Sequence, residues 1–148
     1  MKIEKMLFLL GFLCLLFVSC KDGDSDDSVT SFDQSVYEAG VNSALSVLGL
    51  SKNYTEMYSG EGDISATQRE YFILYSNNVA AFVMVDPKSS APLLGFSGTY
   101  STDLDANYKK QGYTFWFYAT KYWDGESSPS ESTFNLPIAV SGNKITKW

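Results

Sequence analysis

The chain has 148 residues and carries 11 lysines and arginines against 17 aspartates and glutamates, a net charge of −6. That acidic balance supplies no basic stripe for nucleic acid or an anionic membrane surface, so neither is expected as a partner of the folded part. Histidine is absent and there are only two cysteines, Cys14 and Cys20, which excludes Ser-His-Asp and Cys-His nucleophiles.

In chain order, Met1 to Lys5 is a short region with two lysines, and Met6 to Val18 is an apolar run interrupted only by Gly11 and Cys14. Its length suits a signal peptide over residues 1–19 and is short of the roughly 20 apolar residues of a membrane span. Phe17-Val18-Ser19-Cys20 resembles a bacterial lipobox, which implies lipidation at Cys20 after cleavage. The protein is then expected to be anchored to a membrane through acyl chains. Cys14 leaves with the signal and Cys20 carries lipid, so no thiol, disulfide or thiolate metal site is expected to remain.

Residues 20–30 follow as a flexible tether. Lys21 to Ser28 holds four aspartates and no large apolar side chain, too little to offset the entropy of ordering it. An acidic run directly after the lipid cysteine also resembles the surface-export signal of Bacteroidetes lipoproteins. It implies an outer-membrane lipoprotein exposed at the cell surface.

One globular domain is expected over 31–148. Ser31-Phe32-Asp33-Gln34 fits a capping box, and Val36, Tyr37, Val41, Ala44, Leu45 and Leu48 recur at helical spacing, predicting an amphipathic helix over 32–48 stopped by Gly49. Tyr54 to Tyr58 reads as a short strand. Glu70 to Ser76 and Val79 to Val85, separated by Asn77-Asn78, form a hairpin pattern. Pro87 ends the second strand and Pro92 to Phe96 begins a third. A short helix is expected over about 103–110. Residues 113–123 fit both helical spacing and strand alternation, so their state stays open. Phe134 to Val140 and Lys144 to Trp148 form a terminal hairpin across Ser141-Gly142-Asn143. The fold class expected is α+β: an antiparallel sheet of about four to six strands, covered on one face by the N-terminal amphipathic helix, with a second short helix.

Chemistry-bearing groups are sparse. Gly60-Glu61-Gly62-Asp63 lacks the alternating oxygen ligands of a calcium loop, and carboxylates alone seldom hold zinc. Neither Asp103 with Asp105 nor Glu126 with Glu131 suits a glycosidase pair, which needs two carboxyls facing across a cleft. No enzyme, cofactor or metal is therefore expected. What remains is 10 Tyr, 10 Phe and 3 Trp, mostly core, with Tyr113, Tyr122 and Trp123 as candidates for an exposed surface that binds a glycan or a protein.

Glu70 to Tyr75, Ala81 to Val85 and Ala91 to Gly98 resemble the propeptides of streptopain-type (C10) cysteine proteases and the small Spi-like inhibitors related to them. In that pattern Ala81 stands for a glycine, and Leu94-Gly95-Phe96-Ser97 for a Leu-Gly-Tyr-Ser strand end. Asp86-Pro87-Lys88-Ser89 departs from the family's Ser-Gly-Asp-Asp turn, and residues 124–148 have no counterpart. The resemblance implies a non-covalent inhibitor that blocks the active-site cleft of a streptopain-type cysteine protease. It places the contact loop at Gly98 to Asp103, with Tyr100, Thr102 and Asn107 as contact residues. Gly95 is expected to be structural, allowing close approach beside Phe96.

Overall fold

A computed structural model describes residues 34–60 and 68–148. The signal region, Cys20, the acidic tether, the Ser31 capping box and Glu61 to Asp63 lie outside the described residues. The elements are α1 (Gln34–Val47), β1 (Glu56–Gly60), β2 (Arg69–Leu74), β3 (Val79–Val85), β4 (Pro92–Ser101), α2 (Ala106–Lys110), β5 (Phe115–Trp123), β6 (Ser130–Glu131), β7 (Asn135–Ser141) and β8 (Lys144–Lys147).

The expected α+β open sheet is corrected. Strand accounts for 48% and helix for 15%, and seven strands form a closed barrel. The neighbours run β4-β3-β2-β1-β8-β7-β5, and β4 pairs with β5 to complete the ring. A ring with an odd number of strands cannot have every neighbour antiparallel, so one like-directed pair is required. That pair is β1 with β8, where Ser59 faces Lys144 and Gly60 faces Ile145. The two-residue strand β6 adds to the outer end of β5.

Alternation along the strands divides the side chains into two cores. Phe72, Leu74, Ala80, Phe82, Phe115, Phe117, Leu136, Ile138 and Ile145 turn inward and fill the barrel. Tyr71, Ile73, Ala81, Val83 and Val85 turn outward from β2 and β3, where Val41, Ala44 and Leu45 of α1 and Leu48 directly after it cover them. Near-continuous apolar strands such as Val79–Val85 are thus explained by burial on both sides.

The β3–β4 turn is where α1 lands. Asp86 holds the turn by accepting from the Lys88 backbone N–H at 2.8 Å and from the Ser89 hydroxyl at 2.8 Å. Those bonds hold its carboxyl below the usual carboxylate range, the Lys88 backbone bond contributing most. The Tyr37 hydroxyl donates to the Pro87 carbonyl at 2.7 Å. Gly40 lies so close to the Ser90 carbonyl oxygen that a Cβ would overlap it. Gly95 lets Leu48, directly after α1, reach the sheet, since a Cβ there would stand 3.0 Å from the Leu48 Cδ1. Its role is close approach of the helix rather than of a neighbouring backbone.

Segment 113–123, open on sequence, is strand from Phe115 to Trp123. Period two prevails because the segment has a partner on each side, β4 and β7, and because Phe115, Phe117 and Ala119 meet the barrel interior. Opposite Ser97 and Gly98 the register slips by one residue. This bulge puts Thr120 out of step, and its hydroxyl bonds the Ser97 carbonyl at 3.4 Å.

Candidate functional site

Period two also determines what β5 shows to solvent. With Phe115, Phe117 and Ala119 inside, Trp116 and Tyr118 must point outward, and Tyr118 is 41% exposed. Asp105 caps α2 by accepting from the backbone N–H groups of Asn107 at 2.8 Å and Tyr108 at 3.2 Å. The capped turn brings the Tyr108 ring to 4.7 Å from the Trp116 ring at 68°. Tyr113 meets Tyr108 at 5.8 Å, and Tyr118 meets Trp116 at 6.2 Å. Four large aromatic rings therefore run along the outside of the barrel.

The rim of this run is polar except at Pro137, which lies opposite Trp116 on β7. Trp116 lies opposite Ser101 and Tyr118 opposite Thr99 on β4, and on β7 Tyr118 lies opposite Asn135. Asn107 stands exposed beside Tyr108. At the Tyr113 end the Lys147 ammonium sits 4.0 Å from the ring centroid and donates to the Gln111 carbonyl at 2.7 Å, a cation–π contact that fixes the ring. Lys109 approaches Asp103 at 3.8 Å with both side chains largely exposed, a contact of little energetic weight. Rigid amphipathic rings with hydroxyl and amide neighbours bind well because they lose little freedom on contact.

The residues singled out on sequence are dispersed. Tyr113 joins the external run. Tyr122 turns into the barrel mouth, its ring 5.1 Å from Phe96. Trp123 is buried under α1, with its indole N–H donating to the Ser127 carbonyl at 2.8 Å. The expected contact loop Gly98 to Asp103 is strand as far as Ser101. Tyr100 faces inward, 5.8 Å from Phe115, while Thr102 and Asn107 are exposed at the end of the barrel that carries the aromatic run. Trp116, Tyr118 and Tyr108 went unnoticed on sequence. Strand alternation through 115–119 was the signal for the first two.

The fold and surface define a class: a small, closed, apolar-filled barrel braced by one external helix and bearing a run of aromatic rings that are half-buried apart from the exposed Tyr118. No protein-family model matches the chain, and neither the comparison with curated proteins nor that with solved structures found a match.

Proposed function

We propose that this chain is a binding protein of the bacterial envelope, held at the outer membrane by lipid on Cys20, that takes up a glycan on the surface formed by Tyr108, Tyr113, Trp116 and Tyr118. The observation carrying this reading is the Tyr108–Trp116–Tyr118 run with its hydroxyl and amide rim. Pyranose rings present apolar C–H faces that lie on aromatic rings, while their hydroxyls bond to polar neighbours. Binding of this kind needs neither histidine nor a metal. Titration of the purified protein with a panel of neutral and acidic polysaccharides, followed by tryptophan fluorescence, tests it. A saturable change that Trp116→Ala abolishes supports the reading, and no change with any polysaccharide overturns it.

A second reading, the cleft-blocking inhibitor of a streptopain-type cysteine protease, draws on the same end of the molecule. Thr102 and Asn107 are exposed beside the aromatic run, so a protease cleft would meet them together with Trp116. Tyr100 lends this reading no support, because its ring is turned inward. Incubation with a streptopain-type protease decides it: undiminished peptidase activity at excess protein ends the proposal.

A further inference from the structure

Glu70 is the acidic residue that the barrel encloses among its described residues. It alternates with Phe72 and Leu74 on the inward face of β2, pairs with Met84 of β3, and is only 3% exposed. Among the described residues its hydrogen-bond donors are neutral. The Gln68 amide reaches Oε1 at 3.3 Å, and the Trp148 indole N–H reaches Oε2 at 2.8 Å. A carboxylate enclosed in this way is costly to bury unless a counter-charge or strong donors compensate.

Trp148, directly after β8, lies across this end of the barrel. Its ring meets Phe82 edge-on at 5.7 Å, yet 40% of the residue is open to solvent. Around the same opening Phe96 stacks on Phe134 at 5.1 Å. Deeper in, Phe72, Phe82 and Phe117 are fully buried, so the space that can change hands is the space the indole fills. The indole is a flat apolar body with one N–H aimed at the carboxylate, and it therefore displays the chemistry the opening accepts. It lacks the positive charge that Glu70 calls for.

We propose that this end of the barrel is a binding site for a small amphipathic amine, whose ammonium pairs with Glu70 and whose apolar ring or short chain takes the place of the Trp148 indole. The ammonium supplies a charge-assisted hydrogen bond where the indole gives a neutral one. The site is separate from the external aromatic run, and its ligand class does not depend on the glycan reading.

The test is calorimetric titration of the purified full-length protein with tryptamine, set against indole-3-propionate, which keeps the ring and reverses the charge. Tryptamine is expected to bind at least about tenfold more tightly than the acid. Trp148→Ala is expected to strengthen tryptamine binding by removing the internal competitor, and Glu70→Gln to abolish the preference for cation over anion. Trp116→Ala is expected to leave tryptamine binding unchanged. Equal binding of the two ligands, absence of tryptamine heat in both the wild type and Trp148→Ala, or a preference that survives Glu70→Gln overturns the proposal. If Glu70→Gln fails to fold by circular dichroism, the comparison of the two ligands in Trp148→Ala still decides.

Discussion

Gly98 of β4 passes so close to the carbonyl oxygen of Tyr118 on β5 that no side chain fits between them. The contact lies at the seam where β4 meets β5 and the ring closes, beside the slip in register. Both partners at the clash are backbone, so nothing flexible can yield. Gly98→Ala is expected to lower stability by roughly 2–3 kcal/mol, read as a lower urea midpoint. A midpoint unchanged within error would mean that the seam has slack.

Tyr71 offers the opposite case. Its hydroxyl is buried beneath α1 without a hydrogen-bond partner among the described residues, and an unsatisfied buried polar atom costs stability that an apolar replacement recovers. Tyr71→Phe is therefore expected to be neutral or stabilising by about 1 kcal/mol in denaturant unfolding. A clear loss of stability would reveal a partner for the hydroxyl.

The same phenol contributes to pH dependence, with Tyr58 and Tyr75. Burial is the leading cause that pushes all three up to about 12 from 10.0. For Tyr58 the hydrogen bond to Glu56 adds to it, and for Tyr71 the Arg69 guanidinium works against it. Between those two values the unfolded chain has lost the protons while the folded one keeps them, so unfolding is favoured as pH rises. Stability is expected to be intact below about pH 10 and to fall progressively toward pH 12. Phenolate absorbance should show late-titrating tyrosines that merge with the ordinary ones once the protein is unfolded in guanidinium.

The α1–barrel contact gives a paired prediction. Leu45 is fully buried between α1 and the outer face of β2 and β3, while Val47 in the same helix is 40% exposed. Leu45→Ala is expected to cost about 2–5 kcal/mol. Val47→Ala should fall within about 0.5 kcal/mol of the parent. Similar losses for both would mean that α1 is not seated by its apolar stripe.

Trp116 and Tyr122 separate binding from folding. Trp116→Ala is expected to weaken polysaccharide binding at least about tenfold with little change in melting temperature. Tyr122→Ala, which removes a ring tilted against Phe96 at the barrel mouth, should lower the melting temperature and leave polysaccharide affinity alone. The reverse pattern would assign binding to the mouth.

Local signals in the sequence were legible where neighbours along the chain decide the structure. The helix expected over 32–48 is Gln34–Val47, because its apolar stripe is a property of the segment itself. The expected hairpin forms, though its connection is the three residues Ser76-Asn77-Asn78 rather than Asn77-Asn78 alone, with Asn78 at φ 61° and Tyr75 N–H donating to Val79 O at 2.9 Å. Closure was not legible, since nothing in β1 or β8 taken singly says that they pair in parallel. Segment 113–123 remained ambiguous for a related reason, as its strand character depends on β4 and β7 flanking it. The predicted contact loop was displaced because β4 continues to Ser101, carrying Tyr100 inside. Glu70 has a visible signal in the sequence, an acid on the same alternation as Phe72 and Leu74.

The parallel pair of β1 and β8 also bears on how the protein comes into being. Among the described strands, the first in the chain has one edge that only the last covers, so a chain emerging from the ribosome cannot complete its ring early. Pairing across such a long sequence separation is slow, and an uncovered strand edge invites association with other chains. Late closure of the ring is thus written into the strand order itself.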